Sequence, residues 1–279
     1  MASDRMKTVL ITGANPNGIG GGLAREFQKK GYRVFATSRD VSKLSEYAGT
    51  GIETLEMDVT ILESIQTCRR EVERRTEGKL DILINNAGRT CAQPALDQKQ
   101  SDLREVMETN AIGPMNVTQA FGPLIIKSRG KIVMITTASS LTPAPFSAVY
   151  NASKAALNQY SESLRLEMVP FGVRVIRIFT GGVRTNLFRP SRMPNFKEDS
   201  SYKQCESNYL QVLEQVTPNM PSADDFALSV VPKIVDMKFS GDIWGGYLAS
   251  ATWFMLKIFP AWLMEYILSS QFGLSKVRY

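Results

Sequence analysis

Short apolar stretches alternate with stretches of helical spacing along most of the chain, and this alternation constrains the fold more than any other feature. The apolar stretches predict six β-strands, at residues 8–12, 33–39, 53–59, 81–88, 130–137 and 173–182. Helical spacing predicts the main intervening helices, at residues 21–31, 65–78, 101–128 and 148–172. Near-continuous apolar strands joined by helices are typical of a parallel sheet covered on both faces. The sequence therefore predicts one doubly wound α/β domain spanning residues 1–279.

Composition narrows the chemistry that such a domain could perform. The chain has 279 residues, 43% of them hydrophobic, and it contains no histidine. Without histidine, Ser-His-Asp and Cys-His catalysis and His-ligated metals are excluded, and we predict no metal site. The three cysteines, Cys68, Cys91 and Cys205, form no close pair, which favours a reducing compartment. The N-terminus has no signal-peptide pattern, so we expect a cytoplasmic protein.

The net charge of +6 admits an anionic partner. However, no run of Lys and Arg is longer than two residues, and the chain carries no nucleic-acid-binding motif. We therefore predict no nucleic-acid binding, and we assign the excess charge to a phosphorylated ligand or an anionic surface.

A glycine-rich loop follows the first predicted strand, in the stretch TGANPNGIGGGLA at residues 12–24. Gly13, Gly18 and Gly20, with Ile19 between the last two, allow a tight turn and a close approach to a pyrophosphate. The N-terminus of the next helix would supply free N–H groups and the positive end of its dipole. Ligands of doubly wound sheets bind at the carboxyl ends of the strands. These features predict a Rossmann dinucleotide site.

The end of the second strand indicates which dinucleotide binds. Ser38 and Arg39 occupy the position where NAD-binding sites usually carry an acid for the ribose hydroxyls. A guanidinium there suits a 2′-phosphate, so we predict NADP(H) as the cofactor. Asp40, one residue further on, leaves NAD(H) open, and Arg39 as an ordinary solvated charge is the other alternative.

The stretch VYNASK places Tyr150 and Lys154 four residues apart in a predicted helix. That spacing puts both side chains on one face, one turn apart. The pair could be a surface contact, or the ammonium could lower the pKa of the phenol and prepare it for proton transfer.

Several motifs occur together in one order: the glycine-rich loop, Asp58-Val59, NNAG at 85–88, Asn110 and YNASK. In this order the chain resembles the short-chain dehydrogenases/reductases over about residues 7–250. Four residues separate Gly13 from Gly18, one more than the usual pattern of that family. The longer loop resembles the branch of the fungal 1-acyl-dihydroxyacetone-phosphate reductases.

The resemblance implies roles for individual residues. Tyr150 would be the catalytic acid/base, and Lys154 would lower its pKa and bind the nicotinamide ribose. Asn110 would hold a water of the proton relay. Residues of the cofactor site would also include the adenosine-side stretch Asn86, Ala87 and Gly88, the adenine contacts Asp58 and Val59, and the nicotinamide contacts Val183 and Thr185.

Two family positions differ in this chain. The serine that usually stands thirteen residues before the tyrosine is replaced by Thr137, which keeps a hydroxyl. We assign carbonyl polarisation to Thr137, with Ser139 as the alternative. The Pro-Gly after the sixth strand is replaced by Thr180-Gly181.

Residues 186–222 form the least regular part of the sequence, rich in Pro, Ser and Asn, and we predict a substrate lid there. Phe188, Met193, Phe196 and Tyr209 could line an apolar pocket or pack in the core. Cys205 could face the substrate or occupy an ordinary helix position.

Residues 244–274 are strongly apolar but are interrupted by Lys257, Pro260 and Glu265. The segment falls short of the roughly 20 uninterrupted apolar residues of a spanning helix. It fits either a packed helix, hairpin or subunit interface, or an interfacial segment on the endoplasmic reticulum or a lipid droplet. The family resemblance implies a homodimer or homotetramer.

Together with these features, the resemblance implies an NADPH-dependent reductase of a small-molecule ketone, or the reverse alcohol dehydrogenase, in fungal secondary metabolism or lipid metabolism. One alternative is a biosynthetic enzyme that couples the reduction to a second step such as cyclisation. The other alternative is an NADP(H)-binding sensor without turnover.

Overall fold

The computed structural model describes residues 5–185 and 196–277. Within these residues one sheet of parallel strands has the order β3-β2-β1-β4-β5-β6-β7. The strands are β1 (Thr8–Ile11), β2 (Arg33–Ser38), β3 (Glu53–Glu56), β4 (Ile82–Asn85), β5 (Lys131–Thr137), β6 (Arg174–Thr180) and β7 (Gly241–Gly245).

Helices connect the strands and cover both faces of the sheet. The helices are α1 (Ile19–Lys29), α2 (Leu62–Arg75), α3 (Gln100–Met107), α4 (Gly113–Ser128), α5 (Ala148–Met168), α6 (Glu206–Val216), α7 (Ala223–Asp236), α8 (Ala249–Ile258) and α9 (Ala261–Gln271). The predicted α/β class, with a doubly wound parallel sheet, is confirmed.

Each face of the sheet has its own core because successive side chains of a strand point to opposite faces. In β1, Val9 and Ile11 pack in the core that α1 and α7 cover. Leu10, between them, packs in the other core, against α2, α4 and α5. Both faces are therefore apolar, which explains why the strands appear in the sequence as continuous apolar runs.

The strand order reverses between β1 and β4, which lie side by side in the middle of the sheet. At such a switch point the loops after the two strands diverge and leave a crevice at their carboxyl ends. The glycine-rich loop follows β1 and the NNAG stretch follows β4, so both predicted cofactor motifs border this crevice.

Two elements differ from the sequence-based expectations. β7 was not predicted, and Trp244, assigned to the apolar C-terminal segment, lies in it and stacks on Phe179 with ring centroids 4.6 Å apart. The single helix expected at 101–128 is instead α3 and α4, separated by a π-helix at Glu108–Ile112. π-Helices of this kind occur frequently at functional sites.

The described part of the predicted lid, residues 196–222, is more regular than expected because α6 lies in it. Phe196 and Tyr209 are buried with Phe146 in an aromatic cluster, so the core-packing alternative holds for these two side chains. Cys205 is buried in the same cluster. The lid residues named in the sequence analysis also include Phe188 and Met193, which lie outside the described residues.

The apolar C-terminal segment forms α8 and α9, with Pro260 between them. Phe272, just after α9, contacts Phe146 and Tyr209 of the aromatic cluster. In the described part of the chain, none of the helices combines the length and apolarity that crossing a bilayer would need.

Candidate active site

Tyr150 and Lys154 lie in the first two turns of α5, which begins at Ala148. Lys154 is buried, and its Nζ donates a hydrogen bond to the carbonyl oxygen of Ile135 at 2.9 Å. Ile135 belongs to β5, so the hydrogen bond fixes the ammonium beneath the carboxyl end of that strand. Gly88, in the loop after β4, lies close to this ammonium, since a Cβ atom at Gly88 would be 3.6 Å from Lys154 Nζ.

The pKa values of this pair differ from the sequence-based expectation. Burial raises the pKa of Tyr150 to about 12, while a hydrogen bond with the Thr137 side chain acts in the lowering direction. Burial lowers the pKa of Lys154 to about 8. We expected the charge of Lys154 to lower the pKa of the phenol, but burial raises it, and the interaction that acts in the lowering direction is the hydrogen bond with Thr137. Tyr150 is therefore protonated at neutral pH and can act as a proton donor.

Thr137, the last residue of β5, presents its hydroxyl beside Tyr150. Its Oγ1 lies 3.1 Å from Ser139 Oγ, and its side chain is the one that hydrogen-bonds Tyr150. Ser139 Oγ donates to Asn151 Oδ1 at 3.0 Å, and Ser140 Oγ donates to the Thr137 carbonyl oxygen at 2.6 Å. Of these three residues, Thr137 is the one whose hydrogen bond lowers the pKa of Tyr150, and its Oγ1 also donates to the carbonyl oxygen of Thr180 at 3.3 Å.

Asn110 is fully buried in the π-helix and joins the loop after β4 to α5. Its Oδ1 accepts from Arg89 N, and its Nδ2 donates to Arg89 O, both at 2.8 Å. Nδ2 also donates to Ser153 Oγ at 3.0 Å. Both N–H groups of the amide are thus occupied by protein, so a relay water would have to use another group of this residue. The side-chain amide of Asn110 therefore connects the backbone of Arg89 to Ser153 in α5.

The glycine-rich loop is closely packed against the NNAG stretch. Gly13 has φ +63°, and a Cβ atom there would lie 2.9 Å from Ala87 Cα. The Nδ2 of Asn86 donates to the carbonyl oxygens of Thr12 and Gly13 at 2.8 and 3.0 Å. The loop backbone is therefore held against the end of β4. The helix α1 starts at Ile19, and the carbonyl oxygen of its N-cap, Gly18, accepts from the N–H groups of Gly21 and Gly22, which leaves those of Ile19 and Gly20 for a ligand. The glycine-rich loop and the N-terminus of α1 together therefore fit a pyrophosphate.

Gly20 offers a direct test of this packing. A Cβ atom at Gly20 would lie 2.7 Å from Gly13 O and 2.8 Å from Ala14 Cα, which are backbone atoms that cannot move freely. We expect Gly20→Ala to lower the free energy of unfolding by about 1–3 kcal/mol, measured by urea denaturation without cofactor. Gly18→Ala is the control, because its Cβ would lie 3.4 Å from the nearest atom, Asn15 O. Equal stability of Gly20→Ala and wild type would contradict the proposed tight packing.

The residues after β2 differ in whether their charged side chains already have partners in the protein. Arg39 is exposed and forms no ion pair within the described ranges. Asp40 instead accepts a hydrogen bond from Ser42 N at 3.1 Å and pairs with Lys43 Nζ at 3.2 Å. The hydrogen bonds from Ser42 and Lys43 lower the pKa of Asp40. The carboxylate caps the following 3-10 turn, which leaves the guanidinium of Arg39 available. Ser38 is buried beside it, with Oγ 3.5 Å from Asn15 Oδ1.

The remaining predicted cofactor residues lie around the same edge of the sheet. Asp58 Oδ1 accepts from Thr60 N at 2.9 Å and from Thr60 Oγ1 at 2.7 Å. Val59 is buried against the start of α4, where a Cβ at Gly113 would lie 2.9 Å from Val59 Cγ2. Val183 is 3% exposed and its side chain packs in the core that α1 and α7 cover. Thr185 follows two residues later, at the end of the described range.

Two residues of the site were not singled out from the sequence. Thr12 Oγ1 accepts from Asn86 N at 2.9 Å and from Ala87 N at 2.8 Å, so it joins the ends of β1 and β4. Ser153 accepts from Asn110 and donates to the carbonyl oxygen of Tyr150 at 2.7 Å. Both residues lie within motifs of the sequence analysis, Thr12 next to Gly13 and Ser153 next to Lys154. This position beside a predicted site residue is the sequence feature that could have identified them.

Comparison with known proteins agrees with this geometry. The family model described as short chain dehydrogenase matches residues 7–195. The chain is 34% identical to Short-chain dehydrogenase cctT of Talaromyces islandicus, covering 98% of both chains. It is 36% identical to the NADPH-dependent 1-acyldihydroxyacetone phosphate reductase of Schizosaccharomyces pombe, covering 88% of this chain and 87% of that one. A crystal structure of a short-chain dehydrogenase from Streptomyces avermitilis has 27% identity and a TM-score of 0.79, covering 96% of this chain and 98% of that chain. The resemblance found in the sequence is confirmed, and the chain belongs to the short-chain dehydrogenase family.

Proposed function

We propose that this protein is an NADPH-dependent reductase that converts a ketone into a secondary alcohol, or catalyses the reverse reaction. The observation that supports the proposal is at the carboxyl end of β5, where Lys154 donates to the carbonyl oxygen of Ile135, Thr137 hydrogen-bonds Tyr150, and burial raises the pKa of the phenol to about 12. Family membership and the names of reductase relatives support it.

In this proposal three side chains have separate roles in the reduction of the substrate carbonyl group. Tyr150 gives its proton to the carbonyl oxygen as negative charge develops there, and Thr137 donates a hydrogen bond to the same oxygen. Lys154 keeps a positive charge near the phenol, and its own pKa of about 8 lets it take part in proton resupply. When bound, NADPH supplies the hydride to the carbonyl carbon.

The cofactor preference rests on Arg39. We expect Arg39→Ala to raise the KM for NADPH about 10- to 100-fold, because hydrogen bonds to charged groups contribute about 1.5–3 kcal/mol. The KM for NADH should change little, since that cofactor has no 2′-phosphate. Lys43→Ala is a matched control that removes the same charge four residues away, from a side chain that pairs with Asp40. Equal losses with both cofactors would contradict the assignment.

The substrate is proposed to be a lipid-like or secondary-metabolite ketone, such as an acylated dihydroxyacetone phosphate. The name of the Schizosaccharomyces pombe relative supports the phosphate ester, and the Talaromyces islandicus relative is named only as a dehydrogenase. In the same proposal, residues 186–222 act as the lid over the substrate and residues 244–274 as an apolar C-terminal segment. The enzyme is proposed to work in the cytoplasm as a homodimer or homotetramer, at the surface of the endoplasmic reticulum or lipid droplets, and not on nucleic acid.

The experiment is a turnover assay that follows NADPH oxidation with a panel of ketones. The panel contains an acyl-dihydroxyacetone phosphate, a steroid ketone, and aromatic and alicyclic ketones. We expect the acylated ketone to give the highest kcat/KM. Tight NADPH binding without turnover on any member of the panel would contradict the proposed reaction.

A further inference from the structure

The helices α8 and α9, here called the C-terminal platform (residues 249–271), carry large apolar side chains that nothing in the described structure covers. Both helices are apolar in composition, yet most of their residues are exposed. The largest of these exposed side chains include Trp253, Phe254, Ile258, Trp262, Tyr266 and Ile267. A helix that is apolar on all sides is normally buried, so this surface needs an occupant.

The distribution of these side chains around α8 indicates what the occupant is. At 3.6 residues per turn, the arc from Leu256 through Trp253 and Phe254 to Ile258 spans about 200° of the helix circumference. All four side chains are exposed. A protein partner packs against one face of a helix, whereas acyl chains can surround it. The exposed arc therefore favours a lipid layer over a second copy of this chain.

The few charges of the platform agree with a lipid surface. The charged residues between 249 and 271 are Lys257 and Glu265. Lys257 Nζ lies 4.8 Å from the centroid of the Trp253 ring. Trp rings and the stems of Lys side chains are both suited to the boundary between headgroups and acyl chains. The net charge of +6 for the whole chain adds attraction to anionic headgroups.

The platform lies next to the elements that carry the catalytic groups. The helix α8 contacts the 3-10 turn Ala138–Leu141, which directly follows Thr137. Leu141 in this turn is exposed, so the turn that α8 contacts carries an exposed apolar side chain of its own. On the other side, the ring of Phe272 lies 6.1 Å from that of Phe146, which precedes α5 by two residues.

We propose that the C-terminal platform inserts into one leaflet of an anionic phospholipid bilayer and places the entrance of the active site against the lipid. Helices of 10 and 11 residues are about 15 Å long, half of the roughly 30 Å hydrocarbon core. They can enter one leaflet without crossing the bilayer. In this arrangement, which rests on the proposed reductase function, the ketone is an amphiphile that enters from the leaflet.

The test is flotation of the full-length protein with vesicles of phosphatidylcholine and phosphatidylserine, without cofactor or substrate. We expect the wild type to float with the vesicles, and Phe254→Ser/Trp262→Ser to bind at least about tenfold more weakly. Phe239→Ser is the matched control, because Phe239 is 80% exposed but lies outside the platform. Trp262 is 65% exposed, so its replacement should leave the melting temperature unchanged. Vesicles of phosphatidylcholine alone should bind the wild type more weakly, because they lack the anionic headgroups that attract its net charge of +6.

Two results would overturn the proposal. One is wild-type protein that stays with the soluble fraction at every lipid concentration. The other is Phe254→Ser/Trp262→Ser converting a dimer into a monomer in size-exclusion chromatography, with vesicle binding unaffected, which would assign the platform to a second copy. Flotation needs no turnover, so a failed ketone assay with intact vesicle binding would reject the proposed function and leave the lipid surface standing.

Discussion

Replacing Tyr150 with phenylalanine should lower kcat for ketone reduction by about a thousandfold, within the range that general acid catalysis contributes. The substitution removes only the hydroxyl, whose pKa is raised to about 12 by burial and which is therefore protonated at neutral pH. Without it, the site loses the phenol that would give a proton to the developing alkoxide. The measurement is steady-state kinetics with NADPH and the best ketone of the panel.

The control for this substitution is Tyr160→Phe on the same helix. Tyr160 is partly buried, hydrogen-bonds Thr118 and lies ten residues after Tyr150 in α5. We expect it to retain wild-type kcat, and we expect Tyr150→Phe to bind NADPH with unchanged affinity. If Tyr150→Phe reduced ketones at the wild-type rate, Tyr150 would not be the proton donor.

Replacing Thr137 with valine should lower kcat by about 100- to 1,000-fold, the effect of removing one hydrogen-bond donor to a developing oxyanion. Valine keeps the branched shape at the end of β5 and removes only the hydroxyl. Thr137→Ser should restore most of the rate because it returns the hydroxyl. The KM for NADPH should change little in both variants, so that kcat carries the effect.

Ser139→Ala distinguishes the two hydroxyls that the sequence left open. Ser139 Oγ is 3.1 Å from Thr137 Oγ1, but it donates to Asn151 Oδ1. We therefore expect Ser139→Ala to lower kcat much less than Thr137→Val. The reverse order would transfer the role of polarising the carbonyl to Ser139.

The fold was largely predictable because both faces of the sheet are buried. Burial on both faces produced the continuous apolar runs that predicted β1 to β6. The strand β7 escaped prediction because its five residues, GDIWG, include two glycines and adjoin a longer apolar segment. The π-helix between α3 and α4 was also not predicted. A π-helix differs from an α-helix in its hydrogen-bond spacing and requires no particular residue types, so the sequence pattern hardly changes there.

The sequence predicted a site residue where a motif identifies it. It did not predict the pKa or the hydrogen-bonding partner of that residue, because tertiary contacts determine both. The sequence placed Tyr150 and Lys154 on one helix, but the raised pKa of the phenol depends on packing that the spacing does not reveal. Likewise, the sequence left Asp40 as a competitor of Arg39 for the ribose, and only the structure shows that Asp40 caps a 3-10 turn.

The aromatic cluster was also not predictable from the sequence, because its contacts join residues that are far apart in the chain. Phe146 has φ +61°, a conformation that costs a bulky residue energy and needs support from its surroundings. That support comes from Phe196, Tyr202, Tyr209 and Phe272, which are at least 50 residues away in the chain. Local patterns carry no information on such a contact.

The central claim is that hydride passes to a ketone at this site while Tyr150 supplies the proton. The most direct measurement uses NADPH with deuterium at the transferring C4 position, followed by mass spectrometry of the alcohol product. We expect the wild type to place the deuterium on the carbinol carbon, and Tyr150→Phe to give almost no labelled alcohol in the same time. Alcohol formed by the wild type without the label, or labelled alcohol formed equally fast by Tyr150→Phe, would contradict the central claim.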